Sequence, residues 1–230
     1  YGGRGRVYGS GGTNEPYGYL ENPRHLGSGG GSYNGYGGNG GGRAWITAGN
    51  CIVDGVISAD GGDGSGGSSG SGGALLFDVG SLSGTGSIGA VGGSSYVGAG
   101  GGRIAIYYDN RSFPEANIIA QGGIGTESRY GSAGTIYLKN NALSNGDLII
   151  DNGNQVTSLE SPLKTELKSF RNVQIRDRGT LHLKTGDLVS VSIEEPILLA
   201  GNVSFRLGSG VELTLDNAIG FDVIGQNGSV

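Results

Sequence analysis

Short runs in which Ile, Val, Leu, Phe and Tyr alternate with small or polar residues recur along the chain, each bounded by Gly, Asn, Asp or Ser. That alternation is the mark of a β-strand with one face buried. One run opens just after a glycine four times at a nearly constant interval, as Arg43-Ala-Trp-Ile-Thr, Ala74-Leu-Leu-Phe-Asp, Arg103-Ile-Ala-Ile-Tyr and Thr135-Ile-Tyr-Leu-Lys. A second run keeps the same beat, as Ile57-Ser-Ala-Asp-Gly-Gly, Ile88-Gly-Ala-Val-Gly-Gly, Ile118-Ile-Ala-Gln-Gly-Gly and Leu148-Ile-Ile-Asp-Asn-Gly. Farther on, Asn172-Val-Gln-Ile-Arg and Asn202-Val-Ser-Phe-Arg repeat that interval, each followed by another alternating run, Thr180-Leu-His-Leu-Lys and Val211-Glu-Leu-Thr-Leu. No stretch of ten residues carries a helical apolar period, and Leu163 to Phe170 would give at most about two turns.

Strands this short cannot bury an apolar face alone, whereas stacking each unit on the next with parallel strands forms a continuous core. The expected fold is therefore all-β, a right-handed parallel β-helix (β-solenoid) with coils of about 30 residues and glycine-rich loops. About seven or eight coils at roughly 4.8 Å each would make a rod about 35 Å long. An antiparallel sandwich is the rival, but it predicts turn signals roughly every 8 to 12 residues rather than a fixed long repeat.

Composition divides this expected stack in two. Of 52 glycines, 42 fall in residues 1–134 and 10 in residues 135–230, which sets a glycine-rich region, 1–154, against a glycine-poor continuation, 155–230. A run such as Gly61 to Gly73 reads by composition as a flexible linker. Within a stack it reads as corners and side loops, or as extended segments packed on one another.

The run from Tyr17-Gly-Tyr through Asn22-Pro-Arg-His-Leu-Gly-Ser-Gly-Gly-Gly, the Gly-Gly-Gly-Arg-Ile-Ala-Ile-Tyr-Tyr stretch at 100–108, and Ala133-Gly-Thr-Ile-Tyr-Leu-Lys followed by Leu148-Ile-Ile-Asp-Asn occur in that order. Over residues 8–153 they resemble the glycine-rich repeats of very large secreted surface proteins of bacteria and some microbial eukaryotes. The resemblance implies an extracellular fibrous or adhesive molecule built of β-helical repeats, and it carries no catalytic residues over.

Net charge is −5 with no lysine or arginine block, so nucleic acid is not an expected partner, and no apolar run reaches the roughly 20 residues of a membrane span. Starting at Tyr1 rather than methionine, the chain reads as a processed product or one segment of something longer. Cys51 is the only cysteine and reads as a small buried hydrophobe; with no methionine in the chain, this suits an oxidising exterior.

Candidate chemistry is thin, and the chain is expected not to be an enzyme. His25 and His182 have no metal-type or triad-type spacing, and His182 reads as an outward strand residue. Asp60, Asp63, Asp78, Asp109 and Asp151 are candidate glycan-processing carboxylates, but Asp60 and Asp151 fall at nearby phases about three coils apart, roughly 14 Å, too far for a paired acid and base. Asp60-Gly-Gly-Asp-Gly reads as an ordinary turn, since the repetition that makes a calcium-binding glycine-aspartate turn specific is missing. Neither a metal nor a cofactor is expected.

Tyr1, Tyr8, Tyr17, Tyr19, Tyr33 and Tyr36 interleave with Gly, Asn and Arg. Tyr8, Tyr17, Tyr19, Tyr33 and Tyr36 read either as a platform for sugar rings or another copy of the chain, or as anchors pinning glycine segments to the wall. Asn110, Asn202 and Asn227 open Asn-x-Ser sequons and are candidate glycosylation sites, Asn110 in an expected loop. Neither terminus shows a capping helix. The expected role is a structural subunit of an extracellular filament, sheath or adhesin, self-associating through the ends of the stack or its glycine/tyrosine-rich faces. The alternative is a carbohydrate-binding or polysaccharide-processing β-helix. The expected partners are copies of the chain itself and, in the alternative, glycans.

Overall fold

The computed structural model describes residues 2–6, 12–32, 35–187, 190–215 and 221–224, the last four by their backbone. Tyr1, Tyr8, Tyr33 and Asn227 lie outside the described residues. Almost all regular structure is strand: β1 (Arg43–Ile52), β2 (Val56–Ser58), β3 (Ala74–Ser83), β4 (Ser87–Gly89), β5 (Arg103–Arg111), β6 (Ile118–Ile119), β7 (Thr135–Asn140), β8 (Asp147–Asp151), β9 (Ser161–Pro162), β10 (Ser169–Phe170), β11 (Asn172–Arg176), β12 (Thr180–Leu183), β13 (Ser190–Ile193), β14 (Ile197–Ala200), β15 (Ser204–Leu207), β16 (Glu212–Leu215) and β17 (Phe221–Ile224). Two single 3₁₀ turns, Glu115–Asn117 and Thr126–Ser128, are the only helical pieces among the described residues.

The strands form four separate sheets: an eight-stranded one in the order β1-β3-β5-β7-β8-β11-β14-β17, and three of three strands, β2-β4-β6, β10-β13-β16 and β15-β12-β9. The first repeat family is fully realised: Arg43, Ala74, Arg103 and Thr135 stand beside one another in parallel register. So do Ile57, Ile88 and Ile118 of the second family.

Leu148 departs from that family, and its departure overturns the expected right-handed parallel β-helix with its constant coil length. The chain turns back after Asn140, where Leu143 N–H donates to the Asn140 carbonyl at 3.0 Å and Ala142 N–H to Asn140 Oδ1 at 2.9 Å. It then lays β8 antiparallel against β7, pairing Ile136 with Ile149 and Tyr137 with Leu148. A single coil wound one way cannot place neighbouring strands of one sheet in opposite directions, so the sheet is mixed: β1, β3, β5 and β7 run one way, and β8, β11, β14 and β17 the other. The later interval is also shorter than the earlier one, with Asn172 beside Asp147 and Gln174 beside Leu198. Ser204, in the run expected to match Asn172-Val-Gln-Ile-Arg, pairs instead with Thr180 of β12.

The reversal moves the core across the sheet. On one face, Leu75, Phe77, Ile104, Ile106, Ile136 and Leu138 pack with Ile88 and Ile118 of the small sheet. On the other, Leu148, Ile150, Val173, Ile175, Ile197 and Leu199 pack with Leu181, Leu183, Val191 and Ile193. β7 and β8 sit at the crossover and are buried on both faces, which is why Ile136-Tyr-Leu and Leu148-Ile-Ile read as unbroken apolar runs. Each fully buried Phe, Leu or Ile contributes about 1.5–3 kcal/mol relative to leaving it exposed.

The glycine tracts pack on one another. They lie outside the strands, side by side and tied backbone to backbone: Gly38 N–H to Ser68 O at 2.9 Å, Gly41 N–H to Ser71 O at 2.8 Å, Gly72 N–H to Gly100 O at 3.0 Å and Gly101 N–H to Ser132 O at 3.0 Å. Glycine is required by close approach: a Cβ on Gly102 would stand 2.2 Å from the Gly73 carbonyl oxygen. That spacing explains how so much glycine can be ordered, since each residue exchanges backbone freedom for paired polar groups.

Candidate functional site

Residues 17–24 form a strap across the second face of the eight-stranded sheet, over β5 and β7. Leu20 is fully buried there in the same cluster as Leu76, Ala105 and Tyr137. Three side chains of the sheet donate to strap carbonyls: Arg43 Nη1 to Arg24 at 2.9 Å, Arg103 Nε to Tyr17 at 3.3 Å and the Tyr107 hydroxyl to Glu21 at 2.8 Å. Arg103 is wholly buried, and its Nη1 also donates to Thr135 Oγ1 at 3.0 Å. From the far side, Glu21 Oε2 accepts from the Thr165 hydroxyl and Oε1 from Glu166 N–H, both at 2.8 Å, while Leu20 N–H donates to Lys164 O. Burial pushes the Tyr107 phenol up to about 12, with the Glu21 and Asp78 carboxylates adding to the shift. Burial also raises the neighbouring Tyr137 phenol.

Of the tyrosines read as a platform or as anchors, Tyr17, Tyr19 and Tyr36 are described. Tyr17 is an anchor: its hydroxyl bonds the Leu26 carbonyl at 2.7 Å and Ser28 Oγ at 3.0 Å, and its ring meets His25 edge-on. Tyr36 is 82% exposed, held by backbone bonds to Ser65, and Tyr19 is exposed on the strap. Tyr17 borders a cleft of about 450 Å³ whose walls are the backbone of the glycine segments near residues 29–31, 66–69 and 98–100. Its charged rim is already occupied: Glu15 takes Arg4 at 2.9 Å and Lys184 at 3.1 Å, and Arg129 lies 4.5 Å over the Tyr96 ring. Burial acts to raise the Glu15 carboxyl, but Lys184 and Arg4 together hold it below its usual value.

Three of the five candidate aspartates, Asp60, Asp63 and Asp151, accept backbone N–H groups. Asp60 Oδ1 accepts Val91 N–H at 2.6 Å, and Asp63 Oδ1 accepts Ser94 N–H at 2.7 Å, so each reaches across to the next repeat. Asp151 bonds Arg176 and Gly153 N–H, and Asp109 takes the Asn141 amide. Asp78, in register with Thr47 and Tyr107 through its backbone, alone of the five makes no side-chain hydrogen bond among the described residues. Buried Asp147 is raised by desolvation although Arg171 opposes the shift. His182 is half-buried on β12, its Nδ1 2.9 Å from Glu160 Oε2, and Glu160 is also approached by Arg206 at 3.5 Å and Arg4 at 3.7 Å. Among the described residues no group of three or more His, Cys, Asp or Glu side chains is placed to hold a metal, and no helix is long and apolar enough to cross a membrane. Asn110 and Asn202 are both exposed, Asn110 near the end of strand β5 rather than in a loop.

The outer edge of β1 and β2 is an unfinished surface. β1 pairs with β3 on one side, and among the described residues no strand pairs with it on the other. Its core-facing side chains Ala44, Ile46, Ala48 and Cys51, with Ile57 of β2, are only partly covered, and burial raises the Cys51 thiol. Beside them Ile52 and Val56 are 69% and 75% exposed. The sequence carries an expectation of open ends to the stack, since neither terminus shows a capping helix, but its alternation does not single out β1 and β2 as the strands left unpaired. Comparison of the chain with protein-family models, curated proteins and solved structures finds no match, and the reading of the site rests on its own geometry.

Proposed function

We propose that this chain is a structural subunit of an extracellular filament, sheath or adhesin that associates with copies of itself through the β1/β2 edge. The observation that carries this reading is the ten-residue edge strand with a row of half-covered core side chains behind it. An unpaired row of N–H and C=O groups is a template for another strand, and proteins that stay apart blunt such edges with lysine, proline or bulges. Here the edge ends in exposed Ile52 and Val56. β17 lies at the opposite edge of the same sheet, and contact between unlike edges generates open fibres rather than closed pairs. The extracellular setting is supported by the single cysteine, the absence of methionine and the resemblance to secreted glycine-rich repeats.

Sedimentation velocity over a range of concentrations, with negative-stain microscopy, tests the reading. The unmodified chain is expected to form growing oligomers or fibres, and Ile52→Lys/Val56→Lys, two changes at exposed positions, to stay monomeric with its fold intact. A chain that remains monomeric at high concentration, or a double variant that assembles as well as the parent, would refute it.

A further inference from the structure

Beside the strap, the second face of the sheet opens into a cavity of about 370 Å³, inside the size range of small-molecule sites. Its lining includes Trp45, the only tryptophan in the chain, which is 66% exposed on β1. Parallel register places Leu76 next to Trp45 and Asp78 next to Tyr107, so one sheet face supplies an indole, an aliphatic floor, a phenol ring and a carboxylate. The strap adds Glu21 and Asn22, and the turn after β7 adds Asn141.

The polar groups divide into committed and open ones. The Tyr107 hydroxyl is bonded to the strap, and both Glu21 oxygens already have donors. Among the described residues, Asn22 Oδ1 accepts from Arg24 Nε at 2.7 Å, which leaves its amide N–H groups open, and Asn141 donates its amide to Asp109 at 2.8 Å, which leaves its carbonyl open. Asp78 and the Trp45 indole N–H have no hydrogen-bond partner among the described residues. The cavity therefore presents an open aromatic face, two donors (the indole N–H and the Asn22 amide) and two acceptors (Asp78 and the Asn141 carbonyl).

We infer that this cavity binds one or two units of a neutral pyranose saccharide, with a sugar ring stacked on Trp45 and its hydroxyls bonded to Asp78, Asn22 and Asn141. A pyranose is the chemistry that uses every open group. Its C–H face is weakly positive and meets the electron-rich face of the indole, while its rim alternates donors and acceptors. Asp78 is the one uncommitted charge, so it accepts from hydroxyls and repels uronates. A cation would want several aromatic faces around it, and here the second ring, Tyr107, is tied under the strap. The site is independent of the edge assembly: Trp45 projects from the sheet face, while assembly uses the edge.

Because Trp45 is the sole indole, its emission and its quenching by acrylamide report on the site directly. The assay uses the Ile52→Lys/Val56→Lys chain as well as the parent, titrated with cellobiose, lactose, maltose and diacetylchitobiose, with digalacturonate, choline and arginine as contrasts. At least one neutral saccharide is expected to shift the emission and protect the indole. Trp45→Ala and Asp78→Asn are expected to weaken its binding, followed calorimetrically, by roughly tenfold or more, a typical loss for a central aromatic or hydrogen-bonded anchor, and Tyr36→Ala to leave it unchanged. Protection by none of the neutral sugars, by choline or arginine alone, or equally by digalacturonate would overturn the assignment. So would indole shielding that appears only as the parent chain associates.

Discussion

Two glycines that composition treats alike should respond oppositely to one added methyl group. A Cβ on Gly102 would meet the Gly73 carbonyl oxygen at 2.2 Å, the Gly72 carbonyl carbon at 2.8 Å and Ala90 Cβ at 2.9 Å. Carbon and carbonyl oxygen rest roughly 3.3 Å or more apart, so the segments must part by about 1 Å. The bonds that tie them, Arg103 N–H to Gly73 O at 2.9 Å and Gly102 N–H to Ala90 O at 2.7 Å, would then stretch beyond bonding distance. Two bonds at about 1 kcal/mol each, with overpacking strain of similar size, give a loss of about 3 kcal/mol for Gly102→Ala. Gly42 has nothing within 4 Å of the same position, so Gly42→Ala should be neutral or stabilise by about 0.4–1 kcal/mol through the unfolded chain. Urea unfolding followed by circular dichroism measures both. Equal shifts of the unfolding midpoint in the two variants would show that the glycine tracts are not packed backbone to backbone.

The remaining expectations concern the aspartates and the strap. Asp60→Ala should cost about 1 kcal/mol by stranding the Val91 N–H, whereas Asp78→Ala, with no partner to lose, should stay within about 0.5 kcal/mol in the same unfolding assay. For Tyr107, whose phenol is raised from 10.0 to about 12, the folded state holds the proton longer than the unfolded chain does. Its contribution is thus complete below pH 10 and is lost as pH rises toward 12. Tyr107→Phe should remove that part of the alkaline unfolding curve, and an unchanged curve would contradict the strap contact.

How far the sequence is legible depends on what each residue pattern encodes. Equal spacing and equal alternation in Arg43-Ala-Trp-Ile, Ala74-Leu-Leu-Phe, Arg103-Ile-Ala-Ile and Thr135-Ile-Tyr-Leu encode register, and those strands stand in that register. Alternation does not encode direction. Leu148-Ile-Ile-Asp has a composition close to that of Ile118-Ile-Ala-Gln, and only the Asn140-Asn-Ala-Leu-Ser-Asn-Gly turn before it signals that the chain doubles back. Nor does alternation encode the spacing after the turn, where the repeat shortens and Gln174 meets Leu198. The tyrosines stand out by number, yet Tyr17 is tied down by its hydroxyl. Trp45 escapes a reading built on repeats, although it occupies the same strand face as Arg43 and Thr47, where a lone tryptophan among polar neighbours is itself a signal.

The reversal, the strap and the exposed indole follow from one another. If the chain had kept winding one way, its core would have stayed on a single face of the large sheet. The antiparallel β7/β8 pair instead carries the core across, so the second face of β3, β5 and β7, with Leu76, Ala105 and Tyr137, needs a cover. The strap provides it, with Leu20 as its buried plug and Arg43, Arg103 and Tyr107 as its fastenings. Its cover is complete at Ala105 and Tyr137, which are buried, and thins toward the first strand, where Leu76 is nearly covered and Trp45 is not. The pocket thus lies where that cover ends and the unpaired edge begins, and a longer strap would have closed the one while leaving the other open. The proposed binding at Trp45 and the proposed assembly at β1 are for that reason separable by substitution: the gap in the cover follows from the change of winding, whereas β1 is the end strand of its sheet whichever way the chain winds after β7.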